Sequence, residues 1–423
     1  MSVKYKEGYI NVVDDKNAED FINTIVSGTH IDRPLFVGDL NEIIFKHELW
    51  KKLTPRMQPY YAVRCNNSDT VLRIMAKLGV GFVCVSKTEL QQVLSIGVDP
   101  SQIIFGRTIK FVSHIQFAVD NNIKLMTFDN KEELLKINNI CPDARVLIHI
   151  RHDVKLKAPF QTKFGCDPNT DAEVLLKLAF SLKIHVIGVT FEIDPESDFR
   201  SICNSMNAAR RLFNTAKTMG LNFSLLYING ERIGNPGHND ELYNFSKEVS
   251  MAIEEYFPNR RIKVIFEDGS YFVRSAFKLA TSVFGIKIKK EMSLVKYHYY
   301  MNHSTFLSLN SIVYWNTNTF PQTLQKTVKS GFPSVLWGPT CDSIDVLHND
   351  TTLPILNCGD WIVFNNMGSY SLVLSTNFNG FSSFSAYYLI NKHNWIFLNK
   401  NPFNAVDIIE DDYTNNLTNK NIQ

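Results

Sequence analysis

The chain has 423 residues, 44% of them hydrophobic and 20% charged, with a net charge of +2 and a pI near 8.0. That balance implies a globular protein of two or three domains and excludes both a basic nucleic-acid stripe and a membrane-surface patch. The N-terminal Met1-Ser2-Val3-Lys4-Tyr5 lacks the basic-then-apolar pattern of a signal peptide, and no apolar run approaches the ~20 residues that span a bilayer, so no membrane partner is expected. Seven cysteines at 65, 84, 141, 166, 203, 341 and 358 include no C-x-x-C pair. They suggest free thiols rather than a disulfide framework or a metal site, and a reducing, cytoplasmic setting by default.

In chain order, a segment around Pro34–Leu40 precedes a long alternation of short β-rich runs and helical stretches. Eight strands are predicted at Gln58–Val63, Gly81–Val85, Ile103–Phe105, Lys124–Thr127, Arg145–Ile150, His185–Phe191, Asn222–Ile228 and Arg261–Phe266. Each is apolar and rich in Val, Ile or aromatics, as a strand buried on both faces must be. Amphipathic segments between them include Asp69–Leu78, Lys87–Ile96, Ser113–Asp120, Lys131–Ile137, Thr170–Leu182 and Phe199–Met219, with Ser86 and Ser113 at expected N-cap positions. Eight such units predict an α/β fold, a (β/α)8 TIM-like barrel, with a doubly wound open sheet as the alternative. Past residue 275 the texture is β-like, at Ser308–Tyr314, Ser334–Trp337, Trp361–Asn365 and Ser385–Ile390. The expected domains are 1–40 joining a C-terminal β domain, 41–275 the barrel, 276–400 the β domain, and 401–423 a loose tail.

Functional residues of such barrels sit at the C-terminal strand ends. Here those ends read Arg64-Cys65-Asn66, His149-Ile150-Arg151, Glu192-Ile193-Asp194, Asn229-Gly230 and Glu267-Asp268-Gly269-Ser270. A charge at the end of a buried strand is unfavourable unless paired or used. Arg64, Glu192 and Glu267 are therefore the residues to explain, and by themselves they imply an enzyme-like site of unknown chemistry. Arg64 is expected to bond Glu192 or Glu267.

Longer motifs carry a resemblance. Pro59-Tyr60-Tyr61-Ala62-Val63-Arg64-Cys65-Asn66 is similar to the P-F-Y-A-V-K-C-N motif of eukaryotic ornithine decarboxylases, and Gly81 to Glu89 resembles the stretch that follows it. Trp337-Gly338-Pro339-Thr340-Cys341-Asp342-Ser343-Ile344-Asp345, Gly359-Asp360-Trp361 and Asn366-Met367-Gly368-Ser369-Tyr370 resemble that family's C-terminal motifs. The similarity runs from about residue 34 to 391. Family members pair a (β/α)8 barrel with a β domain and use pyridoxal 5'-phosphate.

The resemblance also implies what has changed. Arg64 stands where the family has its Schiff-base lysine. Glu192 stands where a histidine stacks on the cofactor ring. Of the family's phosphate-cradling glycines only Gly230 remains, followed by Glu231. Glu267, which meets the ring nitrogen, is retained, but Ser270 replaces a phosphate-binding arginine and His303 a substrate aspartate. Cys341, Asp342, Tyr370 and Phe381 match family positions, and in the family the Cys-Asp loop is donated across a dimer interface. The same residues also suit a role in folding the β domain, so both readings stay open. No bound cofactor is expected.

Three functions follow. One is that of the inactive, antizyme-inhibitor-like members, binding antizyme through the stretch Arg107–Ala118 and on to Leu135, with Lys110, His114, Gln116 and Phe117 as candidate partner-binding residues. The second is a regulatory subunit that pairs with an active paralogue. The third is a divergent ornithine or amino-acid decarboxylase of putrescine synthesis. The first two imply a homo- or heterodimer or a complex with antizyme.

Overall fold

The computed structural model describes residues 2–5, 8–14, 16–28, 32–151, 163–193, 198–230, 239–291, 294–310, 320–324, 331–381 and 385–400. The expected tail 401–423, and Asp194, Glu231 and residues 311–314, lie outside these described residues.

The chain opens with β1 (Ser2–Tyr5), β2 (Gly8–Val12), α1 (Ala18–Gly28) and β3 (Leu35–Asp39). Asp39 then caps α2 (Leu40–Leu53) by accepting from the Asn41 amide at 3.0 Å. The alternating units follow. They are β4 (Met57–Ala62), α3 (Asp69–Lys77), β5 (Gly81–Cys84), α4 (Lys87–Ser95), β6 (Ile103–Phe105), α5 (Val112–Asp120), β7 (Leu125–Phe128) and α6 (Lys131–Ile140). They continue with β8 (Arg145–His149), α7 (Asp171–Ser181), β9 (His185–Ile193), α8 (Phe199–Thr218), β10 (Leu225–Gly230), α9 (Asn239–Tyr256) and β11 (Lys263–Glu267). Strands β4 to β11 pair in parallel and close into a barrel. The barrel, not the open sheet, is the architecture.

Side-chain alternation divides the strands. Outward residues pack under the helices, while Tyr60, Val83, Ile104, Leu147, Ile187, Leu225 and Ile265 form a separate apolar cluster inside the barrel with Tyr227. Filling the interior with branched side chains makes it a packed core rather than a pore. Gly188 is required there, because a Cβ would run into the Leu225 carbonyl where β9 and β10 approach. Ser68, Ser86, Asn130 and Asp198 cap their helices through side-chain oxygens. Ser113 does not. Helix α5 begins a residue earlier, with Phe111 at the cap and no side-chain cap bond. The reason lies just upstream, where the Lys110 amide donates to the Glu133 carboxylate and fixes the entry from outside the helix.

The short helix α10 (Ser270–Val273) leads into the β domain: β12 (Phe277–Glu291), β13 (Leu294–Met301), β14 (Gln322–Thr323), β15 (Phe332–Trp337), β16 (Val346–Leu353), β17 (Trp361–Phe364) and β18 (Ser385–Ile390), then α11 (Lys392–Lys400). The sheet runs β1-β2-β18-β3-β12-β13-β15-β16, with β17 joining β12 to β14. N-terminal β3 lies between β12 and β18, so both ends of the chain build one sheet. The strand expected from Ser308 is not one in its described part. Ser308 is in a turn and Asn310 begins a helical turn. Their side chains bond locally instead, Ser308 to His303 and the Asn310 amide to the Leu307 and Leu374 carbonyls. Such bonds compete with a ladder.

Candidate functional site at the barrel mouth

The polar layer above the apolar cluster is built by the same alternation. Glu267 follows Ile265 inward on β11, Asn229 follows Tyr227 on β10, and Arg64 stands in the 3-10 turn Val63–Cys65 that ends β4. The register sets Asn229 beside both Glu267 and Glu192.

Arg64 donates to Glu267 Oε1 in an ion pair, and the Tyr227 hydroxyl donates to Glu267 Oε2. Glu267 is buried, whereas the Arg64 side chain keeps 29% of its surface exposed. The expected pairing of Arg64 with a carboxylate of the mouth is made with Glu267. Burial pushes the Tyr227 phenol well above its ordinary range, and the facing Glu267 pushes it further, so it acts here as a donor. Glu89 accepts from the Val85 amide at 2.7 Å. Its burial raises the carboxyl pKa, against the lowering by that amide and by Arg64. His149 is held below its usual value, again chiefly by burial. Tyr227, Glu89 and His149 are members of this cluster that sequence reasoning did not single out. For Tyr227 and His149 the signal was strand parity, a polar residue two positions beyond inward Leu225 and Leu147, whereas Glu89 lies in the first turn of α4, where parity gives none.

Below and beside Arg64 the chain is tied to the β domain. The Asn66 amide donates to the Gly368 carbonyl at 2.9 Å, and the Tyr370 N–H to the Cys65 carbonyl at 2.9 Å. Tyr370 adopts a left-handed backbone, φ 51°, to make that turn. Ser270 is buried at the start of α10, with its Oγ 3.7 Å from Cys65 Sγ. Gly230 ends β10 where a Cβ would press on Phe266 at 3.0 Å and the Ile193 carbonyl at 3.2 Å.

His303, Cys341 and Asp342 make their bonds inside the β domain. His303 is fully buried, its Nε2 2.7 Å from Ser308 Oγ, and burial drives its pKa down to about 3 despite nearby Asp345. Buried Asp345 organises the 338–345 loop. It accepts from the amides and hydroxyls of Thr305 and Thr340, all within 3.1 Å. That leaves Cys341 exposed, its N–H bonded to Asn379, and Asp342 Oδ1 accepting from Ile344 N–H. Phe381 is exposed nearby in sequence to the Phe378–Gly380 turn.

The expected partner stretch needs one correction. Lys110 is only 3% exposed and bonds Glu133 at 2.9 Å and the Thr127 carbonyl at 2.7 Å, so it cannot meet a partner. Burial lowers its pKa to about 8, opposed by Glu133. Phe117 is half-buried with the Lys87 ammonium over its ring, and His114 accepts from the Lys87 amide. Gln116 is exposed and bonds Asp120. The large exposed side chains are instead Ile109, Phe111 and Val112, with Phe111 62% exposed.

A parallel eight-stranded barrel with charged strand ends, joined to a mixed sheet, is the architecture of the fold type III pyridoxal-dependent decarboxylases. The family model described as "Pyridoxal-dependent decarboxylase, pyridoxal binding domain" matches residues 40–274. The chain is 36% identical over 396 residues to antizyme inhibitor 2 of Xenopus laevis, covering 89% of this chain and 85% of that one. It is 34% identical over 397 residues to ornithine decarboxylase of Rattus norvegicus, covering 88% and 84%. Among solved structures it superimposes on the arginine decarboxylase of Paramecium bursaria Chlorella virus bound to agmatine with a TM-score of 0.83 at 31% identity, over 88% of this chain and all of that one. The chain belongs to the eukaryotic ornithine decarboxylase family. Among its described residues no helix is long and apolar enough to cross a membrane.

Proposed function

We propose that this chain is a catalytically inactive member of its family that regulates polyamine synthesis by binding antizyme. The observation that carries the reading is the Arg64–Glu267 pair. A guanidinium is protonated at any ordinary pH and offers no free amine to an aldehyde. Its ion pair also engages the carboxylate that, in family enzymes, meets the ring nitrogen. The remaining residues fit the cofactor no better. Ser270 brings no charge to a phosphate, and Glu192 sets a carboxylate where a stacking ring is needed. Pyridoxal phosphate therefore finds no covalent anchor at residue 64, and no catalytic step is assigned.

The likeness to antizyme inhibitor 2 and to active decarboxylases is of similar strength, so sequence identity does not choose between them. The chemistry of Arg64 supports the inactive reading. The exposed Ile109, Phe111 and Val112 supply an apolar contact surface in the stretch that the resemblance assigns to antizyme. A second reading, a regulatory subunit paired with an active decarboxylase, is favoured by the outward presentation of Cys341.

The test is capture of the purified chain by antizyme and by an active family decarboxylase, alongside spectra recorded with pyridoxal phosphate. Antizyme capture without an aldimine absorbance is the expected result for both wild type and Arg64→Lys. A covalent cofactor on the wild-type chain overturns the reading. Capture by the decarboxylase but not by antizyme replaces it with the second.

A further inference from the structure

The end of the barrel away from the mouth carries charge that the fold does not neutralise. Three strands begin on an exposed base there: Arg145 opens β8, His185 opens β9 and Lys263 opens β11. The alternation that sends Val146, Val186 and Val264 outward under the helices turns these three toward the barrel axis, below Leu147, Ile187 and Ile265 of the interior cluster. Arg145 and His185 are paired in register, so their side chains are neighbours. Lys263 stands two strands on from His185, past β10, with its ammonium 5.6 Å from the centre of the buried Tyr60 ring. Partial desolvation lowers the Lys263 pKa and the like charge of Arg145 lowers it further, which sets the two cations against one another. Among the described residues no carboxylate pairs with any of the three. Asp143 is held by Lys124, and Glu254 by Arg56 and Arg260.

We propose that this barrel floor binds a phosphate-class oxyanion between the Arg145 guanidinium, the Lys263 ammonium and the His185 imidazole. A guanidinium offers a planar fork of N–H donors that fits two oxygens of a tetrahedral anion, an ammonium adds a compact charge, and an imidazole donates an N–H. Like charges that converge at strand ends repel one another until a counter-ion joins them. A metal cation is repelled by the same charges. A nucleic-acid track needs a longer run of bases than three residues at one end of a barrel. The Tyr60 ring and the apolar cluster fill the interior above, so the ion sits at the surface and not inside the barrel. The inference stands apart from the reading of Arg64, because floor and mouth are opposite ends of the same strands.

Isothermal titration of the full chain at low ionic strength tests this, with inorganic phosphate, pyrophosphate and AMP as probes and sodium chloride at matched ionic strength as the control. Saturable binding of phosphate or pyrophosphate at millimolar concentrations or below is expected, weakening as salt is added. Lys263→Gln and Arg145→Gln each weaken it by roughly fivefold or more, and the double variant removes it. Lys177→Gln, on an exposed ion pair of α7, leaves it unchanged. Tighter binding of AMP than of phosphate supports a phosphoester as the ligand, and the reverse supports the free ion. A melting temperature that phosphate raises in the wild type and not in the double variant is the second readout, and it also reports that the variant is folded. Absence of saturable binding or equal weakening by Lys177→Gln overturns the inference. So does loss in Tyr370→Phe with none in Lys263→Gln, which places the ion at the mouth.

Discussion

The barrel mouth and the 338–345 loop are the two places where this chain meets its family's site, and they treat charge in opposite ways. At the mouth, the position of the family's lysine carries Arg64, and the guanidinium pairs with an internal carboxylate, Glu267, which also accepts from the Tyr227 hydroxyl. In the loop, Asp345 is buried and fully bonded to two threonines, and this leaves Cys341 facing outward. One region closes on itself while the other stays presented. The two regions thus differ in what holds them: the loop by one buried carboxylate under two threonines, the mouth by an ion pair at the position of the family's lysine.

The largest expected effect is at the mouth. Glu267→Ala leaves a guanidinium and a buried phenol without their acceptor and should cost about 2–4 kcal/mol, at the lower end because Arg64 keeps a path to solvent. A urea midpoint unchanged from wild type would break the claim that the mouth is internally paired. Asp345→Ala should cost about 1–3 kcal/mol for the donors it strands and loosen the loop, which faster proteolysis between Gly338 and Asp345 would register. Unaltered cleavage would mean that Asp345 does not hold the loop.

Acid sharpens the comparison further. Burial holds folded His303 at about 3 and folded His47 at about 4, both below the ordinary value of 6.5. The unfolded chain then binds more protons as pH falls below 6.5, so stability present at neutral pH is lost progressively from about pH 6.5 down toward 4. Melting curves across that window should show it, and His303→Gln should flatten part of the slope. The smallest effect on stability belongs to Phe111→Ser, within about 0.5 kcal/mol because the side chain is exposed, yet it should abolish antizyme capture. Undiminished capture would move the docking surface elsewhere.

Much of this was legible in the sequence. The eight barrel strands declare themselves as short apolar runs between helical stretches, and the register of Glu267 follows from strand parity alone. Other features were not. Ser113 looks like a helix cap, but Lys110 and Glu133, a contact between distant positions, set where α5 begins. Lys110 itself reads as a surface residue until the fold encloses it. Strand β12 runs for 15 residues, and its Ile286-Lys287-Ile288-Lys289 alternation was a readable strand signal that its lysines made resemble a solvated face. Ser308 resembled a strand residue because propensity does not register a histidine five residues upstream that takes its hydroxyl.

The central claim is that Arg64, at the position of the family's lysine, offers no amine to capture the cofactor aldehyde. Its most direct test is carbon dioxide release from ornithine by the purified chain supplied with pyridoxal phosphate. The account predicts release no faster than without protein. Cofactor-dependent release that disappears in Glu267→Ala would contradict it.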